Sequence, residues 1–371
     1  MPQTTVEPAG EQSIPGELPP PPAGLSPLRL VAELELGVLP RSRLRAPVHF
    51  HDSRRLMVVT DRGEVASFDT QTGALLWFLG LPIGRLFSPQ SLPSAVLISN
   101  RDGRLLQVDP VTGRILRQDS IPGPLVLPPL RGESAFFFAA PDGEVFAYDS
   151  ALSAELWRVG TGATTRALVA DGSLLVLSGD DGTLIGLETA SGEERWRFHG
   201  RGAFVAPALI DAAGERVYIG DGAGDFYALS AAEGKVRYRW ETGASIEHSV
   251  LAEEDQLFVV SYANTLFCYR ASNGHELWRA NLPGRPASGP VRVGRRVAVV
   301  TLDGDVVEFD ASLGRRQGDP YRTPSEIFPA PKIRAPYAAL TLRTDKIVLL
   351  QTVSPASPQA PNSPGDSLSP Q

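Results

Sequence analysis

Apolar and polar positions along this 371-residue chain follow one phrase that returns seven times. A turn position, filled by Gly63, Gly103, Gly143, Gly182, Gly224, Asn264 or Gly304, recurs at intervals of 39 to 42 residues. Two, three and five residues after it come apolar side chains: Val65, Ala66 and Phe68 in the first copy, Val145, Phe146 and Tyr148 in the third, Val306, Val307 and Phe309 in the seventh. The copies between them are apolar at the same places. Side chains alternate between the faces of a strand, so apolar residues at both parities predict a strand covered on both sides. In most copies an Asp precedes the turn Gly (Asp102, Asp142, Asp181, Asp303), and Asp-Gly supplies the positive φ of a tight hairpin. The runs just upstream, LLVL at 174–177, VYIG at 217–220, LFVV at 257–260 and VAVV at 297–300, predict the partner strand.

A second turn follows. Six residues past the turn position stands Asp69, Asp109, Asp149, Glu188, Ser230, Arg270 or Asp310, and four further on Gly73, Gly113, Ser153, Gly192, Gly234, Gly274 or Gly314. A carboxylate so placed accepts backbone N–H groups, so the row Asp69, Asp109, Asp149 and Asp310 predicts turn chemistry, not catalysis. Pro47, Pro89, Pro129, Pro207 and Pro290 each open a short segment suited to the start of a strand. Each unit therefore reads as four short antiparallel strands, and no segment keeps helical spacing. Such a unit cannot bury both faces alone and must stack on copies of itself, which predicts an all-β, β-propeller fold.

The period predicts eight blades over residues 28–352, with seven as the alternative. Residues 28–36 (LRLVAELEL) lie where an outermost strand should precede Pro47. At the other end Arg334-Ala335-Pro336 echoes Arg45-Ala46-Pro47, and residues 346–351 (KIVLLQ) supply another strand. The two ends are expected to share one composite, incomplete eighth blade, which removes free sheet edges. Residues 1–27 and 353–371 are Pro-rich, with Pro355, Pro358, Pro361 and Pro364 every third residue in the tail, and are expected to be disordered.

Composition narrows the function. A net charge of −7 without a Lys/Arg run argues against a nucleic-acid partner. No apolar run reaches the length of a transmembrane span, and the first residues show neither a basic region nor an apolar core of an export signal. Cys268 is the one cysteine, expected to be a compact filler. His49 and His51 lie two apart on a predicted strand without a third ligand in view, so no metal site is assigned. No nucleophile elbow, phosphate loop or dinucleotide fingerprint appears, and no catalytic residue is assigned.

Trp77, Trp157, Trp196 and Trp278 occupy the slot four residues after the second turn; Arg117, Tyr238 and Gly318 fill it elsewhere. With Asp69-Thr70-Gln71-Thr72-Gly73 before Trp77, and Ser272-Asn273-Gly274-His275-Glu276-Leu277 before Trp278, the chain resembles the pyrroloquinoline-quinone (PQQ)-like propeller repeat. The resemblance implies that the Trp of one blade packs on the next. Quinone-dependent dehydrogenases with such repeats are larger, and many use adjacent cysteines and a calcium held by acidic and amide side chains. One cysteine excludes the adjacent pair and no carboxylate stands outside the repeat as a clear calcium ligand, so no quinone or other cofactor is expected.

Among non-enzymatic relatives the chain is similar to the BamB-type family of outer-membrane assembly factors. That likeness implies a monomeric, non-catalytic scaffold for protein–protein interaction that docks on an outer-membrane β-barrel insertase, in the periplasm or cell envelope. In the family a docking loop carries Leu-Arg-Gly-Glu-Ser, and here Leu130-Arg131-Gly132-Glu133-Ser134 repeats it, which singles out Leu130, Arg131 and Glu133. Here the segment follows Pro129, whereas in the family it precedes the corresponding strand. The alternatives are a PQQ-dependent quinoprotein enzyme and, if Met1 is the true start, a cytoplasmic interaction or sensor propeller.

Overall fold

The computed structural model describes residues 28–35, 48–60, 62–81, 84–327, 332–334, 337–342 and 346–352. All regular structure there is β-strand, arranged in eight four-stranded antiparallel sheets. Seven sheets are continuous in sequence, spanning 49–80, 90–120, 130–160, 167–199, 209–241, 251–281 and 291–322, and are numbered here as blades one to seven. In each, hydrogen bonding runs in chain order from first strand to fourth. First strands of neighbouring blades approach one another, among them His49–Phe50 of blade one and Lys332–Arg334 of blade eight. First strands therefore line the centre, and fourth strands form the rim.

Blade eight is composite, in the order Leu28–Glu35, Lys346–Thr352, Tyr337–Thr341, Lys332–Arg334. It carries all four strands, so the expectation of an incomplete blade is corrected. The echo between Arg334-Ala335-Pro336 and Arg45-Ala46-Pro47 marks an eighth unit, and all of it but Arg334 falls outside the described residues. The strand after it, Tyr337–Thr341, is the second of its sheet, because Lys332–Arg334 already pairs with it as the first. Pro47, Ala335, Pro336 and the Pro-rich segments 1–27 and 353–371 lie outside the described residues.

The core is not one cluster but eight, each shared by two adjacent blades. Blade one shows why both parities are apolar. Leu56 and Val58 pack with Ala339, Ile347 and Leu349 of blade eight, while Met57 and Val59 pack with Val96 and Ile98 of blade two. Every inner strand is thus sandwiched, and burial of its apolar area is what holds the ring.

The Trp slot bridges blades. Trp77 Nε1 donates to the Pro110 carbonyl (2.9 Å), Trp157 to Thr189 (2.9 Å), Trp196 to Ala231 (2.7 Å) and Trp278 to Ala311 (3.0 Å). Each acceptor belongs to the second turn of the following blade. In blade five two side chains share this role. Tyr238 Oη donates to the Ala271 carbonyl, and Trp240 stacks on Tyr269 with centroids 4.1 Å apart. Blade two has Arg117 in the slot, paired with Asp119 at 2.8 Å, and there the partner turn changes too. Leu152 takes a φ of +57° and packs into the core between blades two and three.

The turn carboxylates act on their own loops. Asp69 Oδ1 accepts from the Gln71 and Thr72 amides (both 2.9 Å), Asp109 Oδ1 from Val111 (2.7 Å) and Thr112 (3.0 Å), and Asp310 Oδ1 from Ser312 (2.9 Å) and Leu313 (2.8 Å). Asp149 instead accepts from the Ser153 amide at 2.7 Å, a shift that accompanies the Leu152 conformation.

Candidate functional site

In a four-stranded antiparallel blade the first and third connections emerge on one face of the ring and the second on the other. Leu130–Arg131 is the first strand of blade three, paired by Leu130↔Phe137 and Arg131↔Phe136 with Ala135–Ala139. The hairpin between them is tight, closed by the Gly132 N–H on the Ala135 carbonyl at 2.8 Å. A Cβ on Gly132 would stand 2.7 Å from Phe137 Cε2 and 3.3 Å from the Ala135 carbonyl, so the hairpin has no room for a side chain there.

The structure separates the three predicted loop residues. Leu130 is half-buried against the core of blades three and four, whereas Arg131 and Glu133 are exposed. Arg131 and Glu133 border a groove of about 440 Å3 whose opposite wall is Asp171, Gly172 and Thr189 of blade four. Phe137 and Ser91 also line it. Two further grooves continue along this face: one of about 300 Å3 over Asp171, Gly172, Gly214 and Ala232, and one of about 610 Å3 over Gly214, Arg216, Arg237 and Tyr238. Blade-four and blade-five walls carry no distinctive motif, so the sequence alone did not reveal them. Only the repeat spacing, which sets one hairpin of each blade beside the next, could have pointed there.

Ser91 is fixed from blade one. His49 Nε2 lies 2.9 Å and His51 Nδ1 3.1 Å from its Oγ, which donates to the His51 carbonyl at 3.2 Å. With the hydroxyl hydrogen used there, both ring nitrogens facing Ser91 donate to it. The two histidines thus meet on a hydroxyl, and no group of three His, Cys, Asp or Glu side chains gathers among the described residues.

Groups with chemical potential elsewhere are engaged in structure. Cys268 is fully buried and its burial pushes the thiol up to about 12, well above what a nucleophile needs. On the opposite face, Asp225 is buried between Arg201 (2.6 Å) and Arg239 (3.0 Å). Asp221 beside it accepts from the Arg201 and Gly202 amides, at 3.1 and 2.9 Å, and from Tyr227 Oη at 3.1 Å. Burial, together with those two carboxylates, pushes the Tyr227 phenol above its ordinary range. This network joins blades four and five and was not foreseen, because Asp221 and Asp225 fall within the repeat's turn spacing.

The profile of the family described as "Outer membrane protein assembly factor BamB" matches residues 28–127, 101–246 and 237–354. The outer membrane protein assembly factor BamB of Nitrosomonas eutropha is 26% identical over 245 residues, covering 60% of this chain and 58% of the relative's own length. The tetrathionate hydrolase of Acidithiobacillus ferrooxidans is 30% identical over 121 residues, covering 32% of this chain and 24% of that protein. Among solved structures, BamB from Moraxella catarrhalis superposes with a TM-score of 0.57 at 16% identity, over 71% of this chain and 96% of that one. At that identity the superposition shows the fold alone.

Proposed function

The chain belongs to the family of the outer membrane protein assembly factor BamB, and on that premise we propose that it is a non-catalytic scaffold in outer-membrane protein assembly. Its partner is the β-barrel insertase, met at the blade-three hairpin. One observation carries the reading: Arg131 and Glu133 project from a hairpin stiffened at Gly132 and border a groove that a partner's side chain can enter. A rigid ring presenting polar groups on a short hairpin suits docking, since little conformational entropy is lost on binding. The non-catalytic part is supported by the use of the acids in turns and ion pairs and by the burial of Cys268.

The test is retention of the insertase from detergent-solubilised envelopes by the tagged full-length chain. Wild type should retain it, and Arg131→Glu should weaken binding by at least about 2 kcal/mol, or roughly thirtyfold, if the residue is an interface hot spot. Failure of wild type to retain the insertase, or full retention by Arg131→Glu, would refute the proposal.

A further inference from the structure

Blade seven carries Gly-Arg-Arg twice, as Gly294-Arg295-Arg296 and as Gly314-Arg315-Arg316. The first lies in the hairpin between its first two strands and the second in its last turn, so both emerge on the face that holds the blade-three groove. They are held side by side: the Ala311 N–H donates to the Arg295 carbonyl (3.1 Å) and the Asp310 N–H to the Arg315 carbonyl (2.8 Å). Arg296 turns inward to the buried Glu308 at 2.7 Å. Arg295, Arg315 and Arg316 stay exposed and form no ion pair among the described residues. Between them Leu313 is 60% exposed, more than any other large hydrophobic residue described.

The repeat does not require these residues. Positions equivalent to Arg295, Arg315 and Arg316 hold Ser173, Glu193 and Glu194 in blade four, and Asp255, His275 and Glu276 in blade six. Where blade seven has Leu313, blades one, two, four, five and six have Thr72, Thr112, Ser191, Glu233 and Asn273. A fixed architectural position has thus been filled with cations around one apolar tip, in a chain whose net charge is −7. Nearby acids are largely committed: Glu308 to Arg296, Glu253 to Arg292 at 3.1 Å, and Asp310 to its own turn amides. Exposed Glu254, on the blade-six hairpin, and exposed Asp319, three residues beyond Arg316, are the acids beside it that form no ion pair among the described residues.

We propose that this patch is a second contact point of the molecule, one that rests on an anionic lipid bilayer. None of the three grooves on this face includes Arg295, Leu313, Arg315 or Arg316. Its apolar tip, Leu313, and its three arginines are all exposed, so it suits a surface of headgroups into which a leucine can dip. Blades three and seven stand opposite each other in a ring of eight, so the docking hairpin and the basic patch occupy opposite sides of one face. The patch needs nothing from the blade-three hairpin, and the two can be tested apart.

Each arginine near an anionic surface contributes about fivefold to partitioning, so three contribute about a hundredfold. The full-length chain is sedimented with vesicles of phosphatidylcholine alone and of phosphatidylcholine mixed with phosphatidylglycerol. Binding is expected only to the mixed vesicles and should fall as salt shortens the Debye length. The triple variant Arg295→Gln, Arg315→Gln, Arg316→Gln should lose about a hundredfold, and Leu313→Asp severalfold, with unchanged thermal unfolding because all four side chains are exposed. Arg131→Glu should leave vesicle binding intact. Equal binding to both vesicle types, or undiminished binding by the triple variant, overturns the proposal. So does capture of polyglutamate through this patch without vesicle binding, which would assign it to an acidic protein.

Discussion

Gly192 lies beneath Trp157 with a φ of +74°, and a Cβ there would come within 2.6 Å of the indole ring. The sequence marks this residue as a turn glycine and puts the Trp slot in the preceding repeat; that the indole rests on the glycine itself is visible only in three dimensions. The exception explains the rule. Where the slot holds Arg117, the following turn dispenses with glycine: Ser153 takes its place and Leu152 fills the gap from the other side. Removing an indole should therefore cost packing and a bond together. Trp196→Ala is expected to lose about 3–5 kcal/mol of unfolding free energy, and Trp196→Phe, which mainly gives up the bond to the Ala231 carbonyl, about 1 kcal/mol. Urea denaturation of the two variants checks this; equal losses would mean that the hydrogen bond contributes the whole effect.

At the scale of the element, the second turns are units whose carboxylates hold them closed. Amides of Thr112 and Val111 keep Asp109 below the usual carboxylate range, and the Ser153 hydroxyl and amide do the same for Asp149. A depressed folded value means that the stabilisation is complete above the unfolded carboxylate value, about pH 4, and is lost as pH falls through the lower folded value. An Asp109→Asn, Asp149→Asn variant should then lose less stability than the parent between about pH 5 and about pH 3. Parallel unfolding curves for the two proteins across that interval would contradict this. Turn chemistry was legible because Asp, Gly and spacing encode it locally. The outer strands were less so: their composition shows only against the structure. Arg158, Arg197, Arg239 and Arg279 occupy one position of the rim strands, where blade one has Phe78, 47% exposed beside Leu76 at 43%. Charges guard most rim edges against pairing with other strands, and blade one lacks that guard.

For the whole molecule, the period of the apolar phrase made the ring legible, because each repeat is one blade and both strand faces had to be covered. The composite blade was inferable from unpaired strand signals at the two ends, though not its internal order, since short hairpins between the last strands leave no distinctive spacing. Grooves and the basic patch escaped a linear reading for a different reason. The grooves arise from hairpins of adjacent blades, about 40 residues apart in sequence, and the patch from two hairpins of blade seven about 20 residues apart, set side by side by the stacking of strands. Closure of the ring can be tested directly. A chain beginning at residue 36 lacks Leu28–Glu35 and leaves Lys346–Thr352 as an unpaired edge. It should unfold at lower urea concentration and aggregate, as judged by light scattering; a midpoint equal to wild type would show that the ring does not depend on this strand.

Leu28 pairs with Thr352, and the register continues to Glu35 opposite Lys346. A polypeptide made from its amino end therefore produces a strand that must wait, without its neighbour, until residues 346–352 have followed it. Such distant partners raise contact order and slow folding, so closing the ring sets the pace of the whole.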